Sequence, residues 1–211
     1  MCESPLPNVG GIVLCGGKST RMGAPKLSLP FGNETMLERV VRILGEVVSP
    51  IVVVASPNQK LPSLPEEVLK VRDEREERGP MEGLAAGLSA FPSGVQAAYV
   101  SSCDVPLLSP DFVRRIVTSL EHHDMAIPRD EKYHHPLAAV YRTRLVGTIR
   151  ALIAEDLMRP YYLLEKCDAR VLEVNELREV DPNLDSLRNM NTPEEYQAAL
   201  KDAGFNSESA C

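Results

Sequence analysis

"GIVLCGGKSTRMGAPK", residues 11–26, runs an apolar, β-branched stretch straight into a loop dense in glycine and positive charge. The apolar part, residues 11–14, has the length of a buried strand and is too short for a helix. The loop holds Gly16, Gly17 and Gly23, the hydroxyls of Ser19 and Thr20, and the cations Lys18, Arg21 and Lys26. Glycine lets a backbone approach an anion and point N–H groups at it, and the cations add fixed charge. In an open, mostly parallel sheet, ligands sit beyond the carboxyl ends of the strands, where this loop leaves its strand. Two familiar phosphate loops do not fit. Gly11 and Gly16 have the Walker spacing, but Gly17 follows where lysine is needed, and Lys18-Ser19 arrives one position late. A G-x-G-x-x-G pattern fails because Gly16 and Gly17 are adjacent and no third glycine has the right offset.

Outward from this loop, strand and helix patterns alternate. Thr35 opens a helix with Glu38 as its capping-box partner, and Met36, Leu37, Val40, Val41 and Leu44 fall on one stripe. Strands are predicted over 51–55, 68–71 and 97–102. A helix over 79–91 is entered through Gly79-Pro80, and another starts at Pro110 and runs to about residue 121. Short strands follow over 125–128 and 135–141, helical patterns over 145–154 and 161–167, and a late strand over 171–174. The last helix, in "NTPEEYQAALKDAG", has Thr192 as N-cap, Pro193 at its first position and Glu195 closing the capping box. The alternation predicts a Rossmann-like three-layer α/β/α sandwich around a mostly parallel sheet covered on both faces. One domain is expected over 1–204, followed by a disordered tail over 205–211. "DEREER", residues 73–78, reads by itself as a solvated loop.

Composition narrows the function classes. The chain has 211 residues, of which 44% are hydrophobic and 25% charged, with a formal net charge of -7. That balance opposes a nucleic-acid binder, which needs a basic field. Cys2, Cys15, Cys103, Cys167 and Cys211 form no C-x-x-C pair and are odd in number, against a structural zinc site or a disulfide framework. Reduced thiols fit the cytoplasm. The start, "MCESPLPNVG", has no signal-peptide pattern, and no apolar run approaches the roughly 20 residues of a membrane helix. A cytoplasmic protein with no nucleic-acid or membrane partner is expected.

The loop resembles G-G-x-S-x-R-M-G-x-x-K, the signature of nucleotidyltransferases that attach a nucleotide to a phosphorylated partner. Gly16, Gly17, Ser19, Arg21, Met22, Gly23 and Lys26 match it. Further blocks resemble the molybdenum cofactor guanylyltransferases, the MobA-like group, and occur in that group's order: "LCGGKSTRMG", "GPMEGLAAGL", "SSCDVPLLSPD", "HPLAAVY" and "NMNTPEEY". The chain departs from the group's pattern at Cys15, usually Ala, at Pro25, usually Asp, and at Ala55, where an asparagine often follows the second strand. "PKLSLPFGNETMLERVV" is also similar to the related cytidylyltransferases, so base choice stays open between GTP and CTP.

The resemblance implies a sheet of the nucleotide-diphospho-sugar transferase type and transfer of GMP from GTP to the phosphate of molybdopterin (Mo-molybdopterin), releasing pyrophosphate. The alternatives are a molybdopterin cytidylyltransferase, another sugar-phosphate-type nucleotidyltransferase, or a protein that holds nucleotide without chemistry. Arg21, Lys26 and Asp104 are the expected catalytic residues. Arg21 and Lys26 would contact phosphates, and Asp104, just past the strand at 97–102, would hold Mg²⁺. Leu14, Cys15 and Gly16 would line the base through their backbones. Gly17 and Ser19 belong to the phosphate loop, and Asp73 would add to nucleotide or metal binding. His135, Asn189 and Asn191 are assigned to the acceptor, and Arg159 to its phosphate. Other cofactor-biosynthesis proteins or a molybdoenzyme are the expected protein partners.

Overall fold

The computed structural model describes residues 5–16, 25–73 and 79–205. In chain order its elements are β1 (Val9–Leu14), β2 (Pro30–Phe31), β3 (Glu34–Thr35), α1 (Met36–Gly45), β4 (Ile51–Ala55), β5 (Leu69–Arg72), α2 (Pro80–Ser89), β6 (Ala97–Ser102), α3 (Pro110–Thr118), β7 (Met125–Arg129), β8 (Ala138–Arg142), α4 (Val146–Ala154), α5 (Tyr161–Leu164), β9 (Ala169–Glu173), α6 (Val174–Leu177) and α7 (Pro193–Asp202). Seven strands form one sheet in the order β5-β4-β1-β6-β8-β7-β9. Neighbouring strands are parallel from β5 to β6 and again between β7 and β9. Only β8 runs against its neighbours, β6 and β7. The connection from β7 to β8, residues 130–137, is too short for the crossover that a parallel pair needs. The fold is the predicted α/β sandwich with a mixed, mostly parallel sheet.

Both faces of the sheet are covered, so its central strands read as unbroken apolar runs rather than alternating ones. Successive side chains of β1 feed opposite cores. Val13 packs with Val53, Tyr99, Leu37, Phe112 and Ile116 under α1 and α3. Ile12 packs with Val52, Val100, Leu84 and Ile149 under α2 and α4. The predicted caps are formed. Glu38 N donates to Thr35 Oγ1 at 3.2 Å, and Thr35 N donates to Glu38 Oε2 at 2.7 Å. Thr192 and Glu195 make the same exchange at the start of α7.

Element ends differ from the sequence reading in places. The helix from Pro110 stops at Thr118, and α5 is one turn rather than a helix to residue 167. The late strand ends at Glu173, whose N–H takes the Glu176 carboxylate at 3.0 Å, so Val174 opens a helix instead of extending the strand. Residues 74–78 and 206–211 of the predicted loop and tail lie outside the described residues. No described helix is long and apolar enough to cross a membrane.

The β2–β3 hairpin has no counterpart in the sequence reading. It turns at Gly32, whose φ is +69°, and a Cβ there would lie 2.4 Å from the Phe205 ring. Phe31 meets Phe205 edge-on at 5.6 Å, and the Tyr196 hydroxyl donates to Pro30 O, tying the hairpin to α7. The hairpin directly follows the turn that carries Lys26, so its anchoring fixes that lysine's approach. Gly32→Ala should therefore destabilise the protein by about 2 kcal/mol and lower Tm by roughly 4–8 °C in a thermal melt. An unchanged Tm would show that the hairpin does not hold the C-terminal helix in place.

Candidate functional site

The carboxyl ends of β1, β4, β5 and β6 open on one edge of the sheet. Lys26 begins a single 3-10 turn, Lys26–Ser28, after Pro25. Its Nζ donates to Asp104 Oδ2 at 2.8 Å and to Asn191 Oδ1 at 2.8 Å. The two charged side chains are only 17% and 10% exposed, so solvent screens this ion pair less than an ordinary surface pair.

Asp104 is held at three points. Ser102 Oγ donates to Asp104 Oδ1 at 2.5 Å, Lys26 takes Oδ2, and Met190 N donates to the Asp104 carbonyl at 2.9 Å. Asn191 N donates to Glu195 Oε2 at 2.7 Å, so the cap of α7 also fixes the Asn191 amide. Sequence reading assigned Lys26 and Asp104 to the nucleotide and Asn191 to the acceptor, and the structure brings all three together. Asn189 lies exposed on the same loop, beside buried Met190.

Leu14, Cys15 and Gly16 continue β1 past the sheet edge. Cys15 N donates to Val54 O at 2.8 Å, and Cys103 N donates to Leu14 O at 3.1 Å. The Cys15 carbonyl accepts from Gln59 Nε2 at 2.8 Å, and Gln59 Oε1 accepts from Ser56 N at 3.2 Å. Arg72 Nη1 donates to the carbonyls of Ser56, at 3.0 Å, and Gln59, at 2.6 Å. Gln59 and Ser102 are the residues that sequence reading missed. Ser102 sits two positions before Asp104 in its block, which is a usable signal. Gln59 carries none, because its role comes from folding back onto β1. A hydrogen bond to Cys103 and burial push the Cys15 thiol well above its ordinary range, so it is no thiolate nucleophile.

Asp73 follows β5 at the same edge. A Cβ on Gly16 would lie 4.0 Å from Asp73 Oδ2, and one on Gly83 would lie 3.4 Å from Oδ1 and 3.2 Å from Leu14 Cδ2. Glycine at 83 thus lets α2 close onto both. Asp73 Oδ1 is buried and has no hydrogen-bond partner among the described residues. Burial, then the charge of Glu82, pushes its carboxyl above the usual range. A buried acceptor without a partner, together with a sheltered carboxylate at Asp104, suits a hard cation and a hydroxyl-bearing ligand. Gly17, Ser19 and Arg21 lie outside the described residues.

His135 serves its own loop. Its Nε2 lies 3.0 Å from Asp130 Oδ2, while Asp130 Oδ1 accepts from the N–H groups of Lys132 and Tyr133, both at 2.7 Å. Because β8 runs antiparallel, with Ala138 opposite Ser101, this loop still meets the edge where Asp104 sits. Arg159 is exposed just before α5. A cavity of about 680 Å³ lies elsewhere, between α1 and the amino ends of β4 and β5, lined by Glu34, Arg42, Val48, Ile51, Pro65 and Glu67.

The MobA-like NTP transferase domain matches residues 11–170. The chain belongs to the MobA-like NTP transferase family. A probable molybdenum cofactor guanylyltransferase of Mycobacterium avium (strain 104) is 35% identical over 195 residues, covering 90% of this chain and 94% of that protein. A probable molybdenum cofactor guanylyltransferase of Mycobacterium tuberculosis (strain H37Rv) is 34% identical over 190 residues, covering 88% and 92%. In fold, the chain is similar to molybdopterin-guanine dinucleotide biosynthesis protein A from Archaeoglobus fulgidus, with a TM-score of 0.76 at 22% identity, covering 92% of this chain and 98% of that one.

Asp73 gives a test in which stability and binding move oppositely. A carboxyl whose folded pKa is raised keeps its proton longer in the folded state, so the fold loses stability as pH climbs from the ordinary value of 3.8 through the raised one. Asp73→Asn should melt higher than the wild type at pH 7, and the difference should close as pH falls toward 4, while nucleotide affinity drops. A variant less stable than the wild type at pH 7 would contradict the burial argument.

Proposed function

We propose that this protein transfers GMP from GTP to the terminal phosphate of molybdopterin (Mo-molybdopterin) and releases pyrophosphate. An oxygen of the acceptor phosphate attacks the α-phosphorus of GTP. A new P–O bond forms, the bond from the α-phosphorus to the bridging oxygen breaks, and pyrophosphate departs with that oxygen. The observation that carries this reading is the 2.8 Å contact between Lys26 Nζ and Asp104 Oδ2, which joins the end of the glycine loop to the carboxylate beyond β6.

An anion must here attack an anion, so positioning and charge neutralisation are what the chain has to supply. Lys26 offers a compact positive charge, already oriented by Asp104 and Asn191, to the phosphate oxygens. Arg21 is expected to add a second cation from the loop. The backbone at Leu14, Cys15 and Gly16, braced by Gln59, offers a rigid rim for the base, and Asp73 a free acceptor oxygen for the nucleoside. Asp104 would hold Mg²⁺, with Asp73 at the same edge. Such an ion, when bound, offsets charge on the triphosphate. Guanine as the base, and molybdopterin as the acceptor, are supported by the guanylyltransferase names of the mycobacterial relatives. The departures at Pro25 and Ala55 keep CTP as the competing substrate.

The test is incubation with molybdopterin, Mg²⁺ and GTP, CTP or UTP, followed by product mass. GTP should give the guanine dinucleotide, and faster turnover of CTP would replace guanine by cytosine. Chelation should stop the reaction and added Mg²⁺ restore it. Asp104→Ala should lower kcat/KM by roughly 10²–10³-fold. Full activity in that variant would refute the assigned site.

A further inference from the structure

We propose that Tyr161, flanked by His134, is the stacking platform for the planar ring of the acceptor at the β7–β8 end of the same sheet edge. The proposal rests on the reading above, in which the acceptor is a phosphorylated pterin, and it names residues outside the set assigned to the acceptor from sequence.

Exposure is the first observation. Among the described residues the exposed large hydrophobics are Leu69, Tyr133 and Tyr161, and Tyr161 is 56% exposed. Tyr99 and Tyr141, in contrast, are fully buried core residues. Tyr161 does not stand alone: with His134 and Tyr162 it forms a contiguous, partly open aromatic group, the kind of surface on which a flat ring can stack.

Placement is the second. His134 bridges to Arg129, the last residue of β7, and the same loop leads into Ala138, opposite Ser101 of β6. The segment leading to α5 passes the start of α2, where a Cβ on Gly79 would lie 3.8 Å from the Met158 carbonyl. Tyr161 therefore stands on the rim between the α2 N-terminus and the β7–β8 loop. The nucleotide residues occupy the other half of that rim, at β1, β4, β5 and β6. An acceptor whose phosphate reaches the α-phosphorus must extend its ring toward this end.

Ring geometry is the third. Tyr161 and His134 have centroids 6.3 Å apart at 53°, and Tyr161 meets Tyr162 edge-on at 6.2 Å. These neighbours steady the Tyr161 ring while leaving it open to solvent. Asp130 and His135 close the loop that presents His134. Burial and the neighbouring charge of Arg129 hold the His134 imidazole below its ordinary value, so it is a neutral ring at pH 7. Stacking on tyrosine suits a flat, polar heterocycle and is insensitive to its edge substituents.

The experiment compares wild type, Tyr161→Ala and Tyr161→Phe in two assays. In the transfer assay, Tyr161→Ala should raise KM for molybdopterin about 10-fold and leave KM for GTP unchanged, and Tyr161→Phe should behave as wild type. In the second, phosphorylated 6-hydroxymethylpterin is titrated with protein and its fluorescence quenching followed, with no nucleotide present. Wild type and Tyr161→Phe should quench it alike, and Tyr161→Ala should need about 10-fold more protein. Quenching with that ranking, but no transfer from any nucleotide, would support the platform and sink the transferase reading alone. Transfer with an unchanged acceptor KM in Tyr161→Ala would overturn the platform and leave the transferase reading standing. Failure of the wild type to quench the pterin would also overturn the platform.

Discussion

The ion pair between Lys26 and Asp104 is the contact on which the rest of the site depends. It ties three distant parts of the chain together: the turn after the glycine loop, the end of β6 and, through Asn191, the cap of α7. Neither charge is free in solvent, so removing one would leave the other partly buried and without this ion pair. The sheet makes the pair possible by ending β1 and β6 in register, with Leu14 opposite Ser102. The small hairpin and Phe205 then brace the turn from outside. Fold stability and site geometry thus share the same contacts around residues 26–36.

Two halves of one edge differ in chemistry. The parallel half, from β5 to β6, gathers charge: a cation at Lys26, a sheltered carboxylate at Asp104 and, at Asp73, a buried carboxylate oxygen with no partner among the described residues. The other half carries rings: His134 of the β7–β8 connection lies against Tyr161 of α5, and Tyr133 stands exposed on that connection. Under the proposed reaction, the charged half suits a triphosphate and the ring-bearing half a flat acceptor. Asp73 Oδ1 is buried with no hydrogen-bond partner among the described residues, which costs stability and leaves an acceptor open to a ligand's donor.

Much of this was legible in the residues. The apolar runs at 11–14, 51–55 and 97–102 mark buried strands by themselves, and the T-x-x-E patterns at Thr35 and Thr192 form capping boxes. The glycine-loop motif and "CDVP" pointed to Lys26 and Asp104. Other features left no trace at sequence level. Strands of two residues, as in the hairpin, are too short to show a period. The apolar run in "LAAVY" looks the same for either strand direction, and only the short 130–137 connection hints that β8 is reversed. The resemblance of its block assigns Asn191 to the acceptor, and the cap of α7 sets its amide oxygen on the Lys26 ammonium. Gln59 and Tyr161 take their places through tertiary structure: one folds back onto Cys15, and the other stands exposed on the single turn of α5.

The most direct measurement is a crystal structure with Mn²⁺ and a non-hydrolysable GTP analogue, the ion located by its anomalous signal. The account requires the ion against the Asp104 carboxylate, the triphosphate beside Lys26 and the base over residues 14–16. An ion and nucleotide seated away from the carboxyl edge, for instance in the cavity beside α1, would contradict it.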